Sequence, residues 1–257
     1  MTYIQAIILS IIEGLTEFLP VSSTGHLILA SFALGIPDSE FLKSFMIIIQ
    51  MGAILAVIFL YRKILLTSKT AWKTILTAFI PTAVIGFILY KFIKEILLGS
   101  EIITVIALFI GGIIIIFIEL LHKDKDTGTE SIEKISYKQA LLVGLFQSIS
   151  IIPGVSRSAA SITGGKLIGM KRETAVIFSF LIAVPTMFAA SVLDLIETNF
   201  TFSNSELSLL VIGFIGSFVV ALTAIKFFLK FVQSYSFIIF GIYRILIAIT
   251  YWFFIIN

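Results

Sequence analysis

Long apolar runs alternate with short polar segments along the whole chain. Six of these runs approach the ~20 residues that a helix needs to cross a bilayer, and they cover residues 42–61, 74–93, 102–121, 174–196, 207–229 and 236–256. With 59% hydrophobic and only 13% charged residues, the 257-residue chain has too few polar side chains to cover a soluble domain. The pattern therefore predicts an all-α polytopic membrane protein with six transmembrane helices.

Two further apolar segments are interrupted before they reach a spanning length. Segment 1–35 breaks between Pro20 and Gly25, which leaves arms that reach only ~27 and ~15 Å as helices, against a hydrocarbon core of ~30 Å. Segment 137–168 breaks in the same way between Pro153 and Ser158. We expect both segments to form re-entrant helical hairpins, whose non-helical tips are tolerated only where protein or a polar cavity surrounds them.

A hairpin followed by three spans occurs twice, in residues 1–121 and 137–257, and a polar linker at 122–136 joins the two copies. Because three crossings are an odd number, the copies enter the membrane from opposite faces, which is the plan of an inverted-topology repeat. If each hairpin returns to its own side, most basic residues fall on the face that carries the linker. The positive-inside rule places that face in the cytoplasm. The residues concerned are Arg62, Lys63, Lys69, Lys73, Lys123, Lys125, Lys134, Lys138, Lys166, Lys171, Arg172, Lys226 and Lys230.

Overall charge excludes some classes of partner. The net charge of +3 is small and its basic residues are scattered, so no nucleic-acid partner is expected. Cysteine is absent, which excludes disulfides and thiol chemistry.

Costly polar groups are concentrated at the first break. Glu13 and Glu17 are four residues apart and therefore share one helix face, and an ionisable pair within an apolar segment indicates a functional site. After Pro20, the hydroxyls of Ser22, Ser23 and Thr24 are positioned to cap the next short helix, with His26 in its first turn.

The second break also has a proline followed by hydroxyl residues, and it adds a positively charged side chain. Pro153 and Gly154 allow a sharp turn, Ser156 and Ser158 supply hydroxyls, and Arg157 supplies a planar donor fork that suits phosphate oxygens. A helix N-terminus with free N–H groups also attracts anions. If the two breaks meet, the combination fits phosphoryl transfer, since paired carboxylates can hold a divalent ion or orient a histidine that titrates near neutrality.

The two breaks carry a family resemblance. Residues 13–26, EGLTEFLPVSSTGH, and residues 153–158, PGVSRS, resemble the two signature motifs of the undecaprenyl-diphosphate phosphatases of the bacitracin-resistance type. The resemblance implies hydrolysis of undecaprenyl diphosphate to undecaprenyl phosphate and inorganic phosphate at the outer face of a bacterial plasma membrane. That reaction recycles the lipid carrier for peptidoglycan synthesis. A requirement for a divalent cation, Mg²⁺ or Ca²⁺, is implied as well.

The same resemblance implies roles for individual residues. Glu13 and Glu17 would serve acid–base chemistry or metal binding, His26 would belong to the catalytic centre, and Ser22, Ser23 and Thr24 would form the reactive turn. The substrate diphosphate would be bound by Ser22, Thr24, Gly154, Ser156, Arg157 and Ser158, and Arg157 would also be catalytic. The attacking group stays open between His26, Ser23 and a water that Glu17 activates, and our preferred interpretation pairs Glu17 with His26. Arg244, inside the last span, either supports the site or pairs elsewhere.

A secondary transporter or flippase for an anionic polyprenyl lipid is the main alternative, because inverted repeats with broken helices are also the usual transporter plan. The crowding of acids and hydroxyls beside His26 favours the enzyme, since anion transport gains nothing from Glu13 and Glu17. The oligomeric state stays open, with a homodimer as one candidate assembly.

Overall fold

Most of the part of the chain that the structure describes is helical. The structure is a computed structural model, which describes residues 1–89, 100–121, 128–197 and 202–256. The α-helices, numbered here in chain order, are α1 (Tyr3–Thr16), α2 (Ser23–Ala33), α3 (Glu40–Leu60), α4 (Arg62–Thr67), α5 (Lys69–Ile88), α6 (Glu101–Leu121), α7 (Tyr137–Ser148), α8 (Arg157–Leu167), α9 (Arg172–Glu197), α10 (Asn204–Ser234) and α11 (Ile238–Tyr251). Shorter turns cover Ile132–Lys134, Ile149–Ile151 and Trp252–Ile256.

Five of the six predicted spans correspond to long apolar helices. Helices α3, α5, α6, α9 and α10 are each long and apolar enough to cross a membrane, so this is a multi-pass membrane protein. The sixth predicted span corresponds to α11, which has 14 residues and continues into a π-helical turn at Trp252–Ile256. Residues 90–93 of the second predicted span and residues 122–127 of the predicted linker lie outside the described residues.

Both predicted interruptions are confirmed. Helix α1 packs against α2 across the first break, and α7 packs against α8 across the second. Within the described residues, the only non-glycine positions with positive φ are Ser22 (69°) and Ser156 (74°), each directly before the second arm of its segment. A left-handed backbone at a residue with a side chain is strained and persists only where its surroundings enforce it. Such strain is typical of functional sites.

Contacts between the two parts of the chain are reciprocal. Helix α1 lies against α10, and α7 lies against α5, so each first arm packs on a long helix from the other part. Glycine permits these close approaches. A Cβ at Gly14 would meet the backbone of Ser217 on α10, and a Cβ at Gly144 would meet the backbone of Ala78 on α5.

Aromatic packing anchors the first break in the core. Phe18 is fully buried and meets Phe180 of α9 edge to face, with ring centroids 5.3 Å apart. The guanidinium of Arg157, which follows the second break, lies 5.7 Å from the centre of the same Phe18 ring. The two breaks therefore meet on one aromatic side chain.

Candidate active site

A cavity of about 190 Å³ lies between the two breaks. It is lined by residues of both breaks and by two neighbouring helices: Glu17, Ser22, Ser23, Thr24, Gln50, Ser150, Pro153, Gly154, Ser156, Arg157, Thr186, Met187 and Ala190. Seven predicted site residues are thus brought together here. The other three, Glu13, His26 and Ser158, do not line the cavity.

Glu17 connects the reactive groups of the two breaks. Arg157 donates from Nη2 to Glu17 Oε1 over 3.1 Å, and Ser23 donates from Oγ to Glu17 Oε2 over 2.6 Å. The Glu17 and Arg157 side chains are only 5% and 11% exposed. Both carboxylate oxygens are therefore engaged, one by a cation and one by a hydroxyl.

Arg157 is held from a second direction by α9. Its Nη1 donates to the Ser179 carbonyl over 2.8 Å and to the Ser179 hydroxyl over 3.3 Å, and that hydroxyl lies 2.7 Å from Ser161 Oγ. Ser179 was not predicted to belong to the site, because nothing in its local sequence distinguishes it from other buried serines. The buried Nε of Arg157 has no hydrogen-bond partner among the described residues.

Two helices begin at the cavity wall. Helix α2 begins at Ser23 and α8 begins at Arg157, and the first residues of both line the cavity. Helix N-termini attract anions through unpaired N–H groups and the helix dipole. Ser156 caps α8 by accepting from Ala159 N, whereas Ser22 at the corresponding position of α2 makes no cap hydrogen bond. The predicted capping of α2 by Ser22 is therefore wrong, although Ser156 caps α8 from a similarly left-handed backbone.

Ser158 holds the two breaks together from behind the cavity. Its hydroxyl donates to the Leu19 carbonyl of the first break over 2.6 Å and lies 3.1 Å from Ser156 Oγ. It is buried to 1% exposure, so it acts on the turn rather than facing the cavity.

His26 does not contact Glu17 in this structure. Its Nδ1 lies 2.8 Å from the Ser22 carbonyl, and its Nε2 lies 2.7 Å from the hydroxyl of Tyr243 on α11. The pairing of Glu17 with His26 that we preferred from sequence is replaced here by pairs of Glu17 with Arg157 and with Ser23.

Glu13 is fully buried, and neither of its carboxylate oxygens has a hydrogen-bond partner among the described residues. It lies one turn before Glu17, whose backbone is still α-helical, so both acids share a helix face. Two unpartnered carboxylate oxygens suit a hard divalent cation, which takes oxygen ligands from carboxylates and substrate phosphates. The described residues contain no cluster of three or more acidic, His or Cys side chains that would hold a metal. Glu13 thus offers two oxygens without a partner, whereas both oxygens of Glu17 are engaged by Arg157 and Ser23.

Arg244 supports the site through backbone contacts. It is fully buried, and its guanidinium donates to five carbonyl oxygens, including those of Pro20 in the first break and of Gly154 and Val155 in the second. The other two acceptors are the carbonyls of Ala107 and Leu108 on α6. Of the two alternatives left open by the sequence, the contacts favour support of the site, since this one side chain links both breaks to α6.

The far wall of the cavity comes from α3 and α9. Gln50 lines it, whereas Gln147 donates to the hydroxyls of Thr82 and Thr186 and so joins neighbouring helices. Thr186, Met187 and Ala190 were not singled out from sequence, because their side chains are common in any membrane helix.

Comparison with known proteins agrees with the two motifs. Residues 6–250 match the family described as bacitracin resistance protein BacA. The chain belongs to the BacA family. The chain is similar to the undecaprenyl-diphosphatases of Aquifex aeolicus (50% identical, covering 98% of both chains) and of Sulfurihydrogenibium sp. (51% identical, covering 98% of this chain and 99% of the relative). The undecaprenyl-diphosphatase of Wolinella succinogenes is 48% identical over 99% of both chains. The BacA match thus spans both breaks and all of the long helices.

Proposed function

We propose that this protein hydrolyses undecaprenyl diphosphate to undecaprenyl phosphate and inorganic phosphate. The observation that carries the proposal is the contact between Glu17 and Arg157, because it joins the two motifs at one cavity. The names of relatives that are about 50% identical over nearly the whole chain support the same reaction.

The diphosphate would bind where positive potential converges. Arg157, the N-terminal N–H groups of α2 and α8, and the hydroxyl of Ser156 all surround the cavity. Oriented N–H groups and a guanidinium need no rearrangement as charge develops on the transferred phosphoryl group, which is how such sites lower a barrier. The left-handed turn at Gly154 belongs to this cradle: its φ is +91°, and a Cβ there would collide with the Thr104 backbone. The prenyl tail would stay among the helices in the lipid.

Ser23 is the nucleophile that the geometry favours. Its Oγ lies within hydrogen-bonding reach of Glu17, as a serine needs for activation by a general base. In the first step the Ser23 proton passes to Glu17, Oγ bonds to the terminal phosphorus, and the bond from that phosphorus to the bridging oxygen breaks. Undecaprenyl phosphate leaves with the bridging oxygen and its electron pair.

A water molecule completes the reaction. Glu17 first releases the Ser23 proton to solvent. The water oxygen then attacks the phosphoserine phosphorus while Glu17 takes a proton from that water. The P–O bond to Ser23 breaks with its electron pair on Oγ, and Glu17 passes the proton to Oγ. Inorganic phosphate is released, and Ser23 and Glu17 return to their initial states.

A divalent cation, Mg²⁺ or Ca²⁺, would bind Glu13 and Glu17 together with phosphate oxygens. When bound, it would neutralise phosphate charge and orient the diphosphate. The unpartnered oxygens of Glu13 support this assignment.

The proposed architecture is an inverted repeat of a re-entrant hairpin and three spans, in 1–121 and 137–257, within the bacterial plasma membrane. The reciprocal packing of α1 on α10 and α7 on α5 supports it. The basic residues of the α3–α4 junction and of the start of α9 would face the cytoplasm, and the cavity would open to the outer face. This placement suits recycling of the lipid carrier during cell-wall synthesis and resistance to bacitracin.

Purified protein in detergent tests the function. With undecaprenyl diphosphate and Mg²⁺ or Ca²⁺, we expect equal amounts of inorganic phosphate and undecaprenyl phosphate to form. Ser23→Ala should abolish turnover, while Ser68→Ala, at the cap of α5 far along the chain from either motif, should retain it. Binding of the lipid without phosphate release would instead favour the transporter.

A further inference from the structure

Tyr243 of α11 reaches the ring of His26. The tyrosine hydroxyl lies 2.7 Å from His26 Nε2, and the two rings stack with centroids 5.4 Å apart and planes inclined by 12°. The opposite nitrogen, Nδ1, lies 2.8 Å from the Ser22 carbonyl, and the backbone N–H of His26 points to the same oxygen over 3.4 Å. Both ring nitrogens are therefore engaged within the protein.

The Ser22 carbonyl determines which ring nitrogen of His26 is the hydrogen-bond donor and which is the acceptor. A carbonyl oxygen can only accept, so Nδ1 carries the hydrogen that bonds to Ser22. In the neutral ring Nε2 then accepts from the Tyr243 hydroxyl. Because His26 does not line the cavity, neither nitrogen is directed at the reacting phosphate.

The carbonyl that His26 holds belongs to the strained residue of the first break. Ser22 has φ 69° and ψ 91°, and it precedes the cavity residues Ser23 and Thr24. A strained backbone persists when surrounding contacts enforce it. Since Ser22 lacks the cap hydrogen bond that Ser156 makes at the corresponding position, the ring of His26 supplies the constraint instead.

We propose that Tyr243 is a positioning residue, which acts through His26 to fix the Ser22 carbonyl and thereby holds Ser23 in reach of Glu17. His26 is accordingly a brace of the reactive turn and does not transfer a proton to substrate. This inference rests on the proposed phosphatase activity and assigns a role to a tyrosine outside both motifs.

Three of the five charged groups on the elements around His26 have partners of their own. The elements that surround it carry Glu13, Glu17, Arg244, Glu101 and Glu119. Glu17 binds Arg157, Arg244 binds carbonyls, and Glu119 pairs with Lys166 and Arg172. The contacts that orient the ring are therefore those to Ser22 and Tyr243.

Two tyrosines of α11 provide a matched pair of variants. Tyr243→Phe removes the hydroxyl that holds His26, and we expect kcat to fall roughly five- to tenfold with KM within about twofold, as for loss of one hydrogen bond. Tyr251→Phe removes a hydroxyl without a partner among the described residues and should change kcat by less than about twofold. A wild-type kcat in Tyr243→Phe would overturn the proposal.

Substitution of His26 separates a brace from a proton-transfer group. Asparagine places an amide N–H near the position of Nδ1, so His26→Asn should keep the bond to Ser22 and retain roughly ten times more activity than His26→Ala. The pH profile of kcat in Tyr243→Phe and His26→Asn should match the wild type. Melting temperature in detergent establishes that each variant is folded.

Three further results would overturn the inference. The first is that His26→Asn is as inactive as His26→Ala although both are equally well folded. The second is loss of the acidic limb of the pH profile of kcat in His26→Asn. The third is a shift of that acidic limb in Tyr243→Phe. Phosphate release by the wild-type protein distinguishes failure of this inference from failure of the proposed function. If wild-type protein releases no phosphate from undecaprenyl diphosphate, the proposed function fails before any variant is compared.

Discussion

Arg157 Nη2 lies 3.1 Å from Glu17 Oε1, and this buried ion pair joins residues that are 140 positions apart in the sequence. Removing one partner of a buried pair leaves an uncompensated charge and commonly costs ~3–5 kcal/mol. The contact therefore fixes the two breaks relative to each other and, in the same place, directs a guanidinium and a base at one cavity.

Replacing Arg157 by lysine should cost most of the activity although the charge is kept. A lysine ammonium cannot contact Glu17 and Ser179 together while facing a phosphate, and loss of such a clamp commonly lowers kcat roughly a hundredfold or more. Initial rates of phosphate release measure the effect. Arg62→Lys is the control, because Arg62 is exposed and, among the contacts described, meets only Phe59, through the carbonyl and the ring of that residue. Full turnover by a folded Arg157→Lys protein would remove Arg157 from the mechanism.

Glu17→Gln should lower both activity and stability. The amide keeps the shape of the side chain but cannot take the proton of Ser23, and it leaves the buried Arg157 without a counter-charge. We expect a fall in kcat of roughly a hundredfold or more and a lower melting temperature. Glu40→Gln removes an exposed acid that pairs with Lys43 and should alter neither. An unchanged rate in Glu17→Gln would identify a purely structural acid.

Gly111→Ala should disturb the site from outside it. A Cβ at Gly111 would collide with the guanidinium of Arg244, which holds the carbonyls of both breaks. We expect a lower kcat in Gly111→Ala, although none of the residues proposed to bind the cation or the substrate is substituted. Gly86→Ala on α5 would place its Cβ 3.9 Å from Ile151 and should be tolerated. Equal rates in the two variants would show that the position of Arg244 does not matter for catalysis.

Single cysteines test the proposed orientation, since the chain has none of its own. Thr67→Cys lies on exposed α4, on the predicted cytoplasmic face, and Ser205→Cys lies at the exposed start of α10, on the predicted outer face. In intact cells a membrane-impermeant maleimide should label the Ser205 position at once and the Thr67 position only after permeabilisation. The reverse order would contradict an outward-facing cavity.

Much of the helical architecture could be predicted from the lengths of the apolar runs in the sequence. The five long helices and both interruptions were predicted because bilayer thickness and helix rise leave few alternatives. Contacts across the fold were not predictable in this way. Ser179 and Tyr243 act through residues far away in sequence, so no local pattern marks them. The preferred pair of Glu17 with His26 followed from the roles that the family resemblance implies, whereas tertiary packing brings Arg157 to Glu17 and Tyr243 to His26.

The most direct test of the account is the stereochemical course of hydrolysis at phosphorus. The substrate would be an undecaprenyl diphosphate whose terminal phosphate is replaced by a thiophosphate made chiral with oxygen isotopes, hydrolysed in isotopically labelled water. Each in-line displacement inverts the phosphorus centre. Attack by Ser23 followed by water therefore predicts net retention of configuration in the inorganic thiophosphate. Net inversion would mean a single attack by water and would contradict Ser23 as the nucleophile.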